Sequence, residues 1–169
     1  MAIAKVCGIE TEYGIIVRGT ESETYTNPVA ASSLLITAYL SSGRGLVGWD
    51  FNDEHPGTDA RGFRVDDLLA PEIETHLVNA VLTNGARYYV DHAHPEISTP
   101  ECATAREALL FDRAAEEIVR ASMLAARTLL PDGAEVVCHK NNSDGKGNSY
   151  GCHENYLVSR ETPFPKIVH

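Results

Sequence analysis

The sequence predicts an α+β fold in which an antiparallel β-sheet packs against helices. Residues 6–17 and 86–92 alternate between apolar and polar side chains, as half-buried strands do, and the two strands are compatible with antiparallel pairing. Helix-start signals follow each strand, at Asn27 with Pro28 and at residues 104–107. This interleaving favours one α+β domain, and 169 residues are enough to bury a core.

The two main helices are predicted from their caps and their apolar spacing. The first begins at Pro28 and extends to about Ser42. The second begins with a capping box at residues 104–107 and extends to Leu130. Its predicted inner stripe consists of Phe111, Ala115, Ile118, Ala125 and Leu129.

The remaining segments are predicted as a loop, a short helix and three strands. Residues 43–72 have no sustained periodicity and carry acids among glycines and prolines, which predicts a long mobile loop. A short helix is predicted at about residues 73–82, and Asn84 with Gly85 predicts a tight turn into the strand at 86–92. Two further strands are predicted at residues 135–140 and 150–159.

Composition excludes several classes of function. The 24 acidic and 14 basic residues give a formal charge of −10, which argues against non-specific binding to nucleic acid or to an anionic membrane. We expect no membrane helix and no signal peptide, since the sequence has no apolar run of the required length. The four cysteines lack a C-x-x-C spacing, which indicates reduced thiols in a cytoplasmic protein.

Two carboxylates are predicted to lie on one face of the first strand. Glu10 and Glu12 have the i, i+2 spacing that lets both reach hard cations such as Mg²⁺. The alternative is a solvated edge strand with two surface acids. Gly8 and Gly14 favour the metal interpretation, because they leave room on the same face for something bulky.

A second strand face carries Arg87, Tyr89 and Asp91, again at alternate positions. A guanidinium suits a phosphate, a phenol suits a metal, and a carboxylate suits a general base or nucleophile. A salt-bridged exterior face is an equally good interpretation of this pattern by itself.

Two sets of residues allow a zinc site. His92, His94 and Glu96 could bind zinc, or they could mark a strand end that Pro95 stops. The second set lacks a familiar ligand spacing and consists of Cys138, His139, Cys152 and His153.

The polar segment at residues 139–156 indicates ligand binding. It joins a glycine-containing loop to a predicted strand that carries His153 and Glu154. The Gly-Lys-Gly at residues 145–147 lacks the spacing of a P-loop, so it is weak support for phosphate binding.

Several segments, in this order, resemble the family of Pup ligases and Pup deamidases, in the glutamine-synthetase-like carboxylate–amine ligase superfamily. They are GIETEYG at 8–14, NGARYYVD at 84–91, HPE at 94–96, KNN at 140–142 and SYGCHENY at 149–156. The resemblance covers nearly the whole chain but only the N-terminal third of such an enzyme. Four segments are similar to the deamidase/depupylase members in particular, namely those at residues 49–63, 90–96, 144–147 and 159–164.

The resemblance implies a glutamine-synthetase-like antiparallel sheet that forms a cradle for ATP and Mg²⁺. The implied reactions are deamidation of the C-terminal glutamine of the prokaryotic ubiquitin-like protein Pup and hydrolysis of the Pup–lysine isopeptide bond. Asp91 would be the catalytic carboxylate, and Arg87 and Thr99 would contact nucleotide phosphates, although Ser98 is an alternative hydroxyl for that role. The implied metal ligands are Glu10, Tyr89, Glu96 and His153, with Glu12 as a further candidate.

Pup and pupylated proteins are the implied partners, in cytoplasmic protein degradation by a proteasome. We expect residues 1–169 to be the N-terminal part of the catalytic domain, so the C-terminal remainder of the same enzyme would be another partner. Two alternatives remain open: a Pup–protein ligase that uses the same site, and a non-catalytic Pup-binding fragment.

Overall fold

The computed structural model describes residues 6–43, 46–48, 78–143, 145–147 and 149–168. Within these ranges the chain forms eight strands, three α-helices and two 3₁₀ helices, which confirms the α+β class. The strands are β1 (Val6–Glu12), β2 (Gly14–Arg18), β3 (Leu46–Val47), β4 (Asn79–Leu82), β5 (Arg87–Asp91), β6 (His94–Ser98), β7 (Glu135–His139) and β8 (Cys152–Leu157). The helices are α1 (Glu23–Thr26), α2 (Pro28–Ser41), α3 (Ala105–Ala126) and the 3₁₀ turns Arg127–Leu129 and Phe164–Lys166.

Six of the described strands form one sheet, in the order β3-β4-β5-β6-β1-β8, while β2 pairs with β7 in a second sheet. Every neighbouring pair is antiparallel. The sequence suggested that the strands at 6–17 and 86–92 could pair with each other, and this is wrong. β6 lies between β1 and β5 and is antiparallel to both, so β1 and β5 are parallel to each other.

The single strand predicted at residues 6–17 is two strands in different sheets. β1 pairs with β6 and β8, whereas β2 pairs with β7. The break falls at Tyr13, whose backbone N–H donates to the carbonyl of Pro95 at 3.0 Å. The apolar alternation continues through Tyr13, so the local pattern carries no sign of the change of partner.

Two strands beside the site differ from the sequence prediction. Pro95 does not stop a strand, because the chain reverses at His92 and Ala93 and continues as β6. His92 takes a φ of 51°, the left-handed conformation that such a tight turn needs. Residues 79–82, predicted as the end of a helix, form β4 and pair with β5 across the predicted turn at Gly85, where φ is 84°. Pairing with β5 overrides the weak local helical preference here.

Both predicted helix starts are confirmed. The Asn27 side chain accepts a hydrogen bond from the Ala30 backbone N–H at 3.1 Å, and Pro28 is the first residue of α2. At the start of α3, Thr104 accepts from the Glu107 backbone and the Glu107 carboxylate accepts from the Thr104 backbone, both at 3.1 Å. The two bonds form a complete capping box, which satisfies N–H groups that have no partner inside the helix.

The inner stripe predicted for α3 is confirmed in part, since Ala115 is buried and Ile118 and Ala125 pack against the core. Leu129 lies beyond the end of α3 and is 47% exposed, and of the predicted stripe only Ala115 is fully buried. Small residues dominate the buried face because they let the helix approach the sheet and α2 closely. The buried positions are Ala108, Ala115, Val119, Ser122 and Ala126.

The hydrophobic core covers one face of the large sheet. Tyr88 and Ile97 point into it from β5 and β6 and are almost completely buried, together with Ile36 of α2 and Val119 of α3. The Tyr88 hydroxyl donates to Ser122 Oγ at 3.3 Å, so this buried polar group has a partner. Since side chains alternate along a strand, the neighbours of these core residues point to the opposite face.

β8 lies at one edge of the sheet, and all six of its residues are exposed. It lies within the strand predicted at residues 150–159, and Leu157 is 63% exposed. Most of the loop predicted at residues 43–72 lies outside the described residues. Within the described part, none of the helices is long and apolar enough to cross a membrane.

Candidate active site

The face of the large sheet opposite the core carries most of the side chains that the sequence analysis singled out. Strand register arranges them in two rows that cross the strands. The first row consists of Arg87, Ser98, Glu10 and His153. The second row consists of Tyr89, Glu96 and Glu12. Directly opposed residues of antiparallel strands have Cβ atoms about 5 Å apart, so segments distant in sequence meet on one surface.

Three carboxylates come together at the second row: two belong to it and the third lies beside it. Glu12, Asp91 and Glu96 each offer an oxygen, and the three oxygens lie within 4.8 Å of one another. In the part of the chain that the structure describes, this is the one group of at least three His, Cys, Asp or Glu side chains with such spacing. Carboxylate oxygens are the ligands that Mg²⁺ takes, so the donor set fits that ion.

Glu96 is the most deeply buried member of the cluster, at 3% exposure. Its carboxylate accepts a 2.5 Å hydrogen bond from the Tyr89 hydroxyl. Burial, reinforced by the negative charges of Asp91, Glu12 and Glu10, raises the pKa of Glu96 from 4.5 to about 7, although the Tyr89 hydrogen bond opposes this shift. Burial and Glu96 also raise the pKa of Tyr89. A cation would relieve the repulsion that the three carboxylates impose on one another.

Glu10 and His153 form a second, more exposed contact in the other row. Glu10 Oε2 lies 3.3 Å from His153 Nδ1, and the His153 side chain is 62% exposed. Glu10 and Glu12 therefore share a face, as predicted, but contact different partners. Of the implied metal ligands, the structure brings Tyr89 together with Glu96 and Glu10 with His153.

Arg87 is held by a residue that the sequence analysis missed. Its Nε donates to Asn79 Oδ1 at 2.9 Å, across the β4–β5 pair. Asn79 lies where a helix was predicted, so no pattern in the sequence pointed to it. The contact orients the guanidinium on the same face as the carboxylates.

The two candidate hydroxyls after Ile97 have different surroundings. Ser98 Oγ lies 3.0 Å from the Tyr89 hydroxyl, which places it within the site. Thr99 Oγ1 accepts a hydrogen bond from the Ile9 backbone N–H at 3.0 Å and so ties the end of β6 to β1. Ser98 is therefore the hydroxyl that directly contacts an implied metal ligand.

Asp91 is the last residue of β5 and lies at the rim of the site. Its side chain is 41% exposed, and His92 Nδ1 lies 3.1 Å from its Oδ1. The β5–β6 turn is held in place by α2, since Ser32 Oγ donates a hydrogen bond to the Ala93 carbonyl at 2.9 Å. A carboxylate in this position is open to an incoming substrate while its backbone is fixed.

Neither predicted zinc set forms a cluster among the described residues. His92 extends from the turn, whereas His94 contacts Glu12. Burial raises the pKa of the Cys138 thiol to about 12, and zinc binds the thiolate. Oxygen donors rather than thiolates therefore define this site.

The two glycines expected to leave room on the site face differ in what lies beside them. A Cβ on Gly14 would lie 2.6 Å from the Tyr150 hydroxyl, so this space is filled by the chain's own tyrosine. A Cβ on Gly8 would meet only Thr99 Oγ1, at 3.8 Å. Gly8 leaves room beside the site, as predicted, whereas Gly14 admits Tyr150.

The polar loop after β7 is tied to α3 at its start and is closed by an internal hydrogen bond. Lys140 Nζ donates to Asp112 at 2.7 Å and Glu116 at 3.0 Å, both on α3. Tyr150 donates to Asn141 Oδ1 at 2.8 Å. Lys140 is thus engaged with a helix, away from the two rows of the site.

Comparison with known proteins matches nearly the whole chain to one family. Residues 5–169 match the family model described as Pup-ligase protein. The chain is 48% identical to a depupylase of Acidothermus cellulolyticus, covering 97% of this chain and 33% of that protein. It is 42% identical to a Pup deamidase/depupylase of Mycobacterium tuberculosis, covering 97% of this chain and 34% of that protein.

Similarity to ligases is also found. A Pup–protein ligase of Kineococcus radiotolerans is 50% identical, but over only 53% of this chain and 20% of that protein. A crystal structure of Pup in complex with its ligase PafA matches with a TM-score of 0.67 and 26% identity, covering 97% of this chain and 27% of that chain. The chain spans about one third of the length of the depupylase relatives that it matches.

Proposed function

The chain belongs to the Pup-ligase protein family, and from this premise we propose that it forms part of an ATP- and Mg²⁺-dependent Pup deamidase and depupylase. The enzyme removes the C-terminal glutamine amide of Pup and hydrolyses the isopeptide bond that joins Pup to substrate lysines. Identity of 42–48% with depupylases over 97% of the chain supports this activity over the alternatives.

One observation carries the proposal: an oxygen of Asp91 lies within 4.8 Å of oxygens of Glu12 and Glu96. This brings a partly exposed carboxylate beside a set of hard ligands. Amide hydrolysis needs both a group that attacks or activates the attacker and a means of stabilising the negative charge that develops on oxygen.

We assign the metal ligands to Glu10, Tyr89, Glu96 and His153, with Glu12 as a further oxygen donor. When bound, Mg²⁺ supplies positive charge that holds phosphates and stabilises developing negative charge. Arg87, oriented by Asn79, contributes a second positive charge for the nucleotide phosphates. Thr99 or its neighbour Ser98 offers a hydroxyl for the same phosphates.

Asp91 acts on the amide in one of two ways. As a nucleophile, its carboxylate oxygen bonds to the amide carbon while the C–N bond breaks, and water then hydrolyses the resulting anhydride. As a base, it takes a proton from a water molecule whose oxygen bonds to the same carbon. In both cases the leaving nitrogen gains a proton, releasing ammonia from glutamine or the amine of a lysine.

The activity is tested by adding Pup ending in glutamine, ATP and Mg²⁺ to the purified protein and measuring ammonia. Because the chain spans a third of its relatives' length, we would assay it alone and with the C-terminal remainder of a depupylase relative. Ammonia release that requires ATP and Mg²⁺ supports the proposal. Its absence from the completed protein would refute it.

The same assay separates the alternatives. Pup–protein ligation is the second candidate, because one solved structure that the chain resembles is a ligase in complex with Pup. Conjugation of Pup ending in glutamate to a lysine substrate would support ligation, and binding of Pup without either reaction would support a non-catalytic fragment. We further propose a cytoplasmic role in proteasomal degradation, which the four free cysteines support.

A further inference from the structure

A chain of three contacts links the polar loop to the acidic cluster. The Tyr150 hydroxyl donates to Asn141 at 2.8 Å, which fixes the tyrosine ring. That ring packs against the imidazole of His94, with centroids 5.1 Å apart and planes tilted by 59°. His94 Nδ1 in turn lies 3.0 Å from Glu12 Oε2. His94 therefore contacts Glu12, a member of the cluster, while its ring packs against Tyr150.

One oxygen of Glu12 has a close side-chain partner. Oε2 lies 3.0 Å from His94 Nδ1. The Glu12 side chain is 15% exposed and that of His94 is 28% exposed, so water competes little for the contact. A glutamate side chain without such neighbours rotates about its terminal bond. Here the contact with His94 restricts the directions in which the carboxylate can point.

We propose that His94 is a positioning residue that orients the Glu12 carboxylate so that it can share a cation with Glu96, beside Asp91. The inference rests on the proposed function, because it concerns the same site. His94 contacts a candidate ligand and not the substrate. Donation from its Nδ1–H to Glu12 Oε2 leaves the other carboxylate oxygen available to the metal, as outer groups commonly do for metal-binding side chains.

Two substitutions separate this hydrogen bond from simple packing. His94→Phe keeps a ring against Tyr150 but removes the nitrogen, whereas His94→Asn loses the ring but keeps an N–H close to the position of Nδ1. Magnesium affinity is measured by calorimetry with Mg²⁺ alone, without nucleotide or Pup, on the preparation used for the activity assay. Melting in EDTA establishes that each variant is folded. His139→Ala, a histidine of the neighbouring two-stranded sheet, is the matched control.

We expect His94→Phe to weaken Mg²⁺ binding by about 10-fold or more, the usual cost of removing such an outer contact. His94→Asn should remain within about threefold of the wild type, because an amide N–H can replace the ring N–H. Wild-type affinity in His94→Phe, or equal losses in both variants, would overturn the inference. Failure of the wild-type protein to bind Mg²⁺ would instead refute the metal site in the proposed function.

A measurement on the unaltered protein covers the case in which a variant does not fold. The ¹⁵N chemical shift of His94 Nδ1 distinguishes a protonated ring nitrogen from an unprotonated one. The inference requires a proton on Nδ1, since a carboxylate can only accept a hydrogen bond. An unprotonated Nδ1 would overturn it.

Discussion

The hydroxyl of Tyr89 and the carboxylate of Glu96 face each other across the β5–β6 pair, at 2.5 Å. Glu96 is 3% exposed and adjoins two further carboxylates. Burial and charge repulsion therefore make its proton unusually hard to remove, and its pKa is about 7. The metal-free site thus changes charge near neutral pH.

Stability of the metal-free protein should depend on this group. The pKa of Glu96 is raised from 4.5 to about 7, so between these values the folded chain holds a proton that the unfolded chain has lost. The free energy of unfolding therefore falls as pH rises through this window, by up to about 3 kcal/mol. Glu96→Gln should remove that part of the dependence. Urea unfolding in EDTA at pH 5 and pH 8 measures the free energy of unfolding of both proteins. The same pH dependence in both would contradict the raised pKa of Glu96.

Magnesium affinity should rise with pH for the same reason. A proton and a cation compete for Glu96, and at pH 6 the proton occupies most of the molecules. We expect binding of Mg²⁺ to tighten about 10-fold between pH 6 and pH 8. Calorimetric titration at several pH values tests this, and a flat profile would show that Glu96 does not bind the ion.

Glu10→Ala and His153→Ala should each weaken Mg²⁺-dependent binding of ATP, because each removes a proposed ligand from the site face. Glu154→Ala is the matched control. It removes a carboxylate next to His153 on the same strand, but from the opposite face. Nucleotide is titrated with and without Mg²⁺. Affinities that match the control would assign both residues to a structural role.

Asp91→Asn should abolish ammonia release while leaving ATP binding nearly intact. The substitution preserves shape but removes the charge that either proposed role of Asp91 needs. Ammonia and nucleotide binding are measured on the same preparation. Residual activity above a few per cent would exclude a catalytic role for Asp91.

Gly14→Ala should destabilise the protein by about 1–3 kcal/mol. The added Cβ would lie 2.6 Å from the Tyr150 ring, and Asn141 restricts how that ring can move. Gly8→Ala is the control, because its new Cβ would have its nearest neighbour at 3.8 Å. Urea unfolding measures the free energy of unfolding of both variants and of the wild type. An equal loss in both variants would contradict the importance of the Tyr150 contact.

The 169-residue chain alone should be inactive and poorly soluble. Among the described strands β8 lies at an edge of the sheet, where Tyr156 and Leu157 are 64% and 63% exposed, and exposed apolar edges promote aggregation. Solubility and activity should both appear when the C-terminal remainder of a depupylase relative is co-expressed. Leu157→Lys should improve solubility of the chain alone without restoring activity. A wild-type chain that is soluble and active by itself would contradict this expectation.

The faces of individual strands and the starts of the helices could be predicted from the sequence. Strand side chains alternate with a period of two, so Glu10 with Glu12, and Tyr89 with Asp91, had to share a face wherever their strands lay. The capping box at Thr104 and the turn at Gly85 depend on residues only a few positions apart. These features follow from local backbone geometry, and the structure confirms them.

Tertiary structure alone decided which of these faces meet. Hydrogen bonds between distant strands carry no local signature, so neither the insertion of β6 between β1 and β5 nor the change of sheet at Tyr13 could be predicted. The same holds within the site. Register places Glu12 rather than Glu10 in the cluster with Asp91, and it brings His94 against Glu12 across 82 residues of chain. Which carboxylates can share one cation depends on strand pairing, because alternation fixes only the face on which each residue lies.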